Sequence, residues 1–177
     1  NPTQRKVQKQ KNISHKPDKT SDKEYERSNL TFIQKNNKEA NDSELIEQCL
    51  SKHFFMRSLE RKNRMEIVKE MSLCSIPENT LVFKQGGIGT YFYIIKKGAV
   101  EFTNNVGDTK LFKVGDSFGE FALMNNAPRK STIKTKTECL LWVLKREAFR
   151  KIIDFLSKLN YNENMKFLDS ISLPLES

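Results

Sequence analysis

Apolar residues change their spacing twice along this chain, and the changes divide it into a helical part, a strand-rich part and a second helical part. Between residues 43 and 71 they recur at i, i+3 and i+4, which is the spacing of amphipathic helices. Asp42 and Ser43 suit an N-cap, so we expect a first helix to begin there and a second helix to cover residues 61–71.

Short runs of β-forming residues follow Leu73, and turn signals such as QGGIG and NNVGD separate them. All seven glycines of the chain lie between Gly86 and Gly119. This crowding of turns predicts a compact antiparallel structure, either a barrel or a jelly roll. The predicted strands cover residues 80–84, 91–96, 99–103, 109–114, 131–136 and 139–144.

Helical spacing returns over residues 145–159, where Phe149, Ile152 and Leu156 lie on one apolar stripe. The polar residues at 160–162 predict a break, and we expect a last short amphipathic helix over residues 163–170. Helices, strands and helices in that order predict an α+β fold in which helical segments flank a sheet structure.

Positive charge is concentrated at the N-terminal end of the chain. The net charge is +9, and residues 1–40 hold ten Lys and Arg against five Asp and Glu. Few large apolar residues accompany them, so we interpret residues 1–41 as a basic extension that is disordered or dependent on a partner. A nucleic-acid partner is not expected, because the chain has neither zinc-ligand spacing nor basic residues interleaved with aromatics.

The remaining composition argues against secretion, membrane insertion and catalysis. Cys49, Cys74 and Cys139 form no CxxC pair and lie in apolar stretches, which favours reduced core thiols in a cytoplasmic protein. No apolar run of about 18 residues and no signal peptide is visible. No nucleophile–base pair or metal-ligand cluster stands out, so we predict neither an enzyme nor a bound metal or other cofactor.

The chemistry of this chain is concentrated in FGEFALMNNAPRKSTI, at residues 118–133. Gly119 permits a tight turn and close approach of a ligand, and the start of the short apolar helix after it offers free backbone N–H groups. Arg129 presents paired donors that match the oxygens of a phosphate, and Glu120 can accept a hydrogen bond from a ribose hydroxyl. Together these residues predict a site for a small sugar phosphate, specifically a cyclic nucleotide.

The same residues resemble the phosphate-binding cassette of the cyclic nucleotide-binding domain, which occurs in cAMP- and cGMP-dependent kinases, nucleotide-gated channels and bacterial regulators. VFKQGGIGTYFYIIKKGAVEF, at residues 82–102, is similar to the barrel motif of that family. The resemblance implies an eight-stranded β jelly-roll barrel between an N-terminal helical bundle and a C-terminal pair of hinge and lid helices. The implied bounds are 42–72 for the bundle, 73–144 for the barrel, 118–132 for the cassette and 145–177 for the last helices.

By position, the resemblance implies that Arg129 binds the cyclic phosphate and that Glu120 binds the 2′-hydroxyl. It also implies that backbone groups of Gly119, Ala122 and Lys130 line the phosphate. A closing lid would contact the base through residues of the last helix. The candidate lid residues are Tyr161, Phe167 and Leu168.

The identity of the base depends on the residue after the arginine, which is usually Ala in cAMP sites and Thr or Ser in cGMP sites. Lys130 stands there and cannot accept a hydrogen bond, so Ser131 is the candidate substitute. Gly87 stands where an acidic residue is common. The layout most resembles the first nucleotide domain of protist cGMP-dependent protein kinases. It favours cGMP slightly over cAMP and implies a kinase catalytic domain or a second nucleotide domain as a partner.

Other functions stay open at this point. One is a cAMP-binding kinase regulatory domain, and another is a structural or interaction module without a ligand, which Lys130 supports. A DNA-binding regulator of the bacterial type would need a helix-turn-helix after the barrel, and too little chain follows residue 170 to supply one. The expected mechanism is a population shift, in which ligand binding moves the cassette inward and the C-terminal helices follow.

Overall fold

A computed structural model gives the structure of this chain. It describes residues 26–34, 38–54, 56–124 and 128–171, and of residues 34, 122, 124, 161 and 164–171 it describes the backbone alone. The first 25 residues of the predicted extension lie outside the described residues. The named helices are α1 (Ala40–Lys52), α2 (Arg61–Glu70), α3 (Phe121–Met124) and α4 (Arg146–Ile171).

The strands of the described part form two antiparallel sheets. They are β1 (Thr31–Gln34), β2 (Ser72–Ile76), β3 (Leu81–Phe83), β4 (Tyr91–Lys97), β5 (Val100–Thr103), β6 (Thr109–Phe112), β7 (Ser117–Phe118), β8 (Thr132–Thr135) and β9 (Cys139–Lys145). One sheet has the order β1-β2-β9-β4-β7 and the other has the order β3-β8-β5-β6. Within the described residues no ladder joins the two sheets. The structure therefore confirms a mixed helix and antiparallel-strand fold, whereas the closed barrel of eight strands is not seen.

A hydrophobic core fills the space between the two sheets. The five-stranded sheet contributes Tyr93, Ile95 and Leu141, and the four-stranded sheet contributes Val100 and Ile133. All five side chains are fully buried. Burial of a large apolar side chain stabilises a fold by about 1.5–3 kcal/mol, so this layer is a principal source of stability for the sheets.

Strand β4 contributes to a second core as well, because successive side chains of a strand point to opposite faces of its sheet. Tyr91, Tyr93 and Ile95 face the other sheet, whereas Phe92 and Ile94 face the helices. A sheet covered on both faces explains why β4 is apolar almost throughout. The helical core also contains Ile46, Leu50, Ile67, Trp142 and Phe149.

Residues 26–34, which we call the N-terminal segment, are folded against the sheets. The expectation that folded structure begins near Asp42 is therefore wrong. Strand β1 of this segment pairs with β2, with Thr31 opposite Ser75 and Phe32 opposite Cys74. Leu30 is buried against the sheet core. Helix α1 also begins two residues earlier than expected, at Ala40. The segment carries too few apolar residues to predict order from composition, and the contacts that hold it come from distant parts of the chain.

Helix α4 corrects the predicted break at residues 160–162, because it runs without interruption from Arg146 to Ile171. Asn is a weak helix former that costs only a few tenths of a kcal/mol, and extending an existing helix is easier than starting one. Without Gly or Pro at these positions, nothing stops the helix. Although α4 has 26 residues, no described helix combines the length and apolar character that a membrane crossing requires.

Candidate ligand-binding site

A cavity of about 360 Å³ lies where the cassette, residues 118–132, meets the aromatic side chains of the four-stranded sheet. Two larger cavities, of about 590 and 630 Å³, lie elsewhere and contain neither Arg129 nor Glu120. The smaller cavity is the one that brings Arg129 and Glu120 of the cassette together with aromatic faces. Its lining includes Phe83, Phe102, Phe112, Gly119, Glu120, Arg129, Lys130 and Ser131.

The glycine-rich loop after β3 fixes the backbone of Arg129. The Arg129 N–H donates to the carbonyl of Gly87 at 2.7 Å, and the Gly86 N–H donates to the carbonyl of Arg129 at 2.8 Å. Next to this pair, Ile88 and Pro128 form an isolated antiparallel bridge. The two sequence motifs, QGG and PR, are therefore joined directly in space.

Arg129 is buried, at 7% exposed, and most of its guanidinium is held by fixed partners. Nη1 donates to the carbonyl of Gly119 at 3.1 Å, and Nη2 donates to the carbonyl of Tyr91 at 2.9 Å. The carbon Cζ lies 3.8 Å from the centroid of the Phe83 ring, which is a cation–π contact. Among the described residues Nε has no hydrogen-bond partner. A buried, oriented guanidinium with an unpaired N–H is suited to bind an anion by donating a hydrogen bond to it.

Glu26 of the N-terminal segment forms a buried ion pair with Arg129, and sequence reasoning missed it. Its Oε1 accepts from Arg129 Nη2, and the Tyr93 hydroxyl donates to the same oxygen at 2.6 Å. The Thr90 N–H donates to Oε2 at 3.2 Å. Glu26 is 2% exposed, yet 103 positions separate it from Arg129 in the chain. Nothing in its polar surroundings distinguishes it from the other acidic residues of the predicted extension.

Tyr93 remains a hydrogen-bond donor to this carboxylate over the physiological pH range. Burial raises the pKa of the Tyr93 phenol well above its ordinary value, and the nearby Glu26 carboxylate raises it further. Both effects disfavour the phenolate, so the hydroxyl keeps its proton. Glu26, Tyr93 and Arg129 therefore form one hydrogen-bonded cluster.

Gly119 has the conformation that the sequence predicted for a tight turn, with φ of +82°. A Cβ atom at this position would lie 2.8 Å from Arg129 Nη1 and 3.0 Å from the carbonyl oxygen of Tyr91. The absence of a side chain is what lets the guanidinium approach the turn.

Glu120 lies at the cavity beside this turn, half-buried, and no partner for its carboxylate is found in the part of the chain that the structure describes. Its carbonyl accepts from the Leu123 N–H at 3.0 Å, in the single turn of α3. Ala122 belongs to α3, and its side chain lies outside the described residues. Glu120 is thus placed to accept a hydrogen bond from a ligand. The charge of Arg129 is neutralised by Glu26 and not by Glu120.

Lys130 and Ser131 both line the cavity. Lys130 is exposed, and its Nζ lies 4.9 Å from the centroid of the Phe121 ring. Ser131 is half-buried. No described side chain of α4 lines the cavity, and the lid stays a prediction. The side chains of Tyr161, Phe167 and Leu168 lie outside the described residues.

Comparison with known proteins identifies the family of this domain. Residues 73–154 match the family model of the cyclic nucleotide-binding domain, a range that includes the whole cassette. The chain therefore carries a domain of the cyclic nucleotide-binding family.

The curated relatives that the chain resembles are cyclic nucleotide-dependent kinases and their regulatory subunits. The chain is 36% identical over 113 residues to a cAMP-dependent protein kinase regulatory subunit of Blastocladiella emersonii, covering 61% of this chain and 28% of the relative. It is 34% identical over 128 residues to a cGMP-dependent protein kinase of Plasmodium berghei, covering 72% of this chain and 15% of the relative. The chain thus spans less than a third of the length of these curated relatives.

A solved structure has the same fold. The regulatory domain of Toxoplasma gondii PKA, crystallised with cAMP, aligns with a TM-score of 0.58 at 28% identity. The alignment covers 77% of this chain and 54% of that one. The antiparallel sheets and flanking helices described above are therefore similar to those of that regulatory domain.

Proposed function

We propose that this domain binds a cyclic nucleotide in the cavity beside the cassette and transmits binding to a kinase or another effector, without performing chemistry itself. The observation that carries the proposal is the buried Arg129 guanidinium, which lines the cavity and whose Nε has no partner among the described residues. A singly charged cyclic phosphate supplies the acceptor that this group lacks. Glu120 lies across the same cavity and takes the ribose 2′-hydroxyl.

The base preference in this proposal is cGMP over cAMP, by a small margin. Lys130 has no acceptor for the guanine amino group, whereas the Ser131 hydroxyl does and also lines the cavity. The aromatic rings of Phe102 and Phe112 lie 5.5 Å apart at the same cavity and offer a face to either purine. The partner is a kinase catalytic domain or a second nucleotide domain, as the kinase relatives suggest.

Calorimetry with cGMP, cAMP and their 2′-deoxy analogues tests both the function and the role of Glu120. We expect Glu120→Ala to lose about 1.5–3 kcal/mol of binding free energy for the 2′-hydroxyl ligands, the range for a hydrogen bond to a charged group. The 2′-deoxy ligands should be bound equally by both proteins, because they lack the hydroxyl. A loss of the same size for the deoxy ligands would assign Glu120 a different role.

A ligand-free structural module is the second candidate function, and Lys130 at the position of the usual discriminating residue is the observation that favours it. The same titration separates the two candidates. Heat uptake or release with either cyclic purine supports a sensor, and its absence with both supports the module.

Closure of a lid is the proposed route from binding to output. Phe155 and Leu159, near the middle of α4, are 60% and 40% exposed and leave apolar surface for the helix to bury after bending near residues 160–162. We expect deletion of residues 161–177 to weaken binding by about 1–3 kcal/mol, the value of one base–aromatic contact. Unchanged affinity in calorimetry would remove the lid from the binding mechanism.

A further inference from the structure

The Glu26–Arg129 pair places two opposite charges, each almost fully buried, at the edge of the proposed nucleotide site. The side chains are 2% and 5% exposed. Glu26 does not line the cavity, although Arg129 does. The carboxylate therefore holds the guanidinium from outside the cavity, and the ligand would approach the same guanidinium from within it.

Arg129 does not depend on Glu26 alone for its orientation. The carbonyls of Gly119 and Tyr91 hold Nη1 and Nη2, and the Phe83 ring lies against Cζ. What Glu26 adds to these neutral contacts is a full negative charge. Without it the empty site would contain a buried and uncompensated guanidinium, which proteins tolerate poorly.

A bound phosphate changes this balance of charges. The empty pair is neutral, so an anionic ligand leaves two negative groups and one positive group in a region from which water is largely excluded. Repulsion between a carboxylate and a phosphate on one guanidinium is then only weakly screened by solvent and salt. The ligand gains less from Arg129 than it would if Glu26 were neutral.

We propose that Glu26 is an internal counter-ion that lowers the affinity of the site for its anionic ligand, so that the N-terminal segment and the cyclic nucleotide are negatively coupled through Arg129. This inference rests on the proposed function. It makes the segment preceding the helices a determinant of the ligand concentration at which the domain responds.

Coupling between two binding events is reciprocal, so the ligand weakens the attachment of the N-terminal segment by the same factor by which the segment weakens ligand binding. The structure of the segment allows this. Strand β1 lies at the edge of its sheet and pairs with β2 alone, while Phe32 and Ile33 are 44% and 54% exposed. Leu30 and Glu26 are its buried side chains.

Glu26→Gln tests the proposal, because it removes the charge and keeps one oxygen that can accept from the Tyr93 hydroxyl. Glu47→Gln is the matched control. Glu47 is also buried, at 4% exposed, and its carboxylate accepts from Arg64 Nε at 2.7 Å in the helical layer away from the cavity. In calorimetry with cGMP and cAMP, we expect Glu26→Gln to bind about tenfold more tightly than the unmodified chain. Glu47→Gln should bind with unchanged affinity.

Thermal unfolding separates this role from a purely structural one. Both variants lose a buried ion pair, so both should unfold at lower temperature without ligand. Saturating nucleotide should raise the unfolding temperature of Glu26→Gln by more than it raises that of Glu47→Gln, because the phosphate then compensates Arg129. An equal rise in unfolding temperature in the two variants would contradict the proposed counter-ion role of Glu26.

Hydrogen exchange on the unmodified chain provides a second measurement that does not depend on a variant folding. The amides of residues 31–34 should exchange faster when the nucleotide is bound. Slower exchange in that strand, or equal or weaker binding by Glu26→Gln, would overturn the inference while leaving the binding function intact. If the unmodified chain binds neither nucleotide, the proposed function fails first and the inference fails with it.

Discussion

Replacing Arg129 with alanine is expected to reduce the binding free energy of the cyclic nucleotide by about 2–5 kcal/mol. This is the range for removing one member of a buried, hydrogen-bonded charge pair. The guanidinium is held by two carbonyls and an aromatic ring, and the other cation in the described cavity lining is Lys130. Lys130 lines the same cavity but is exposed and lies over the Phe121 ring. Calorimetry measures the loss, and an affinity equal to that of the unmodified chain would reject the role of Arg129.

Arg129→Ala also leaves Glu26 buried without its partner, which costs about 3–5 kcal/mol of stability. A loss of binding in this variant could therefore arise from unfolding. The double variant Glu26→Gln, Arg129→Ala removes both charges and should recover part of that stability, as measured by denaturant unfolding. Binding should stay lost in the double variant, and its recovery would assign the phosphate to another group.

Replacing Gly119 with alanine is expected to impair both the fold and the site. A residue other than glycine at φ of +82° costs about 1–3 kcal/mol in backbone strain. In addition, the new methyl group would lie 2.8 Å from Arg129 Nη1, so the guanidinium must move away from its two carbonyls. We expect the affinity for the nucleotide to fall by about 1–3 kcal/mol, because the arginine loses a fixed hydrogen bond.

Gly115→Ala is the matched control for that prediction. Gly115 has φ of +89°, and a Cβ atom there would have nothing within 4 Å. Both variants thus carry similar backbone strain, whereas only Gly119→Ala displaces the arginine. Equal loss of nucleotide affinity in the two variants would show that strain, and not contact with Arg129, accounts for the effect.

The grouping of the cassette residues at one cavity could be predicted, because it depends on local sequence. Gly119, Glu120 and Arg129 lie within one short segment, and the glycines at 86 and 87 lie in another. Turn formation, phosphate recognition and carboxylate acceptance are properties of these residue types at these spacings. The structure places Gly119, Glu120, Arg129, Lys130 and Ser131 around one cavity.

Those parts that depend on contacts between distant residues could not be predicted. Glu26 matters because folding places it against Arg129, and nothing around Glu26 in the sequence indicates that contact. Strand β2 was missed because its residues Leu73 and Cys74 are buried on successive positions, which hides the alternation expected of a strand. The uninterrupted α4 reflects a helix that continues through weak helix formers once it has started.

Because β4 is buried on both of its faces, ligand binding at one face affects the packing at the other. The Tyr91 carbonyl that accepts from Arg129 belongs to β4. On the other face of this strand, Phe92 and Ile94 pack against the helices. The side chains of β4 are closely packed on both faces of the sheet, so the strand has little room to move on either side. A displacement of β4 at the ligand site would therefore also displace the side chains on which the helices pack.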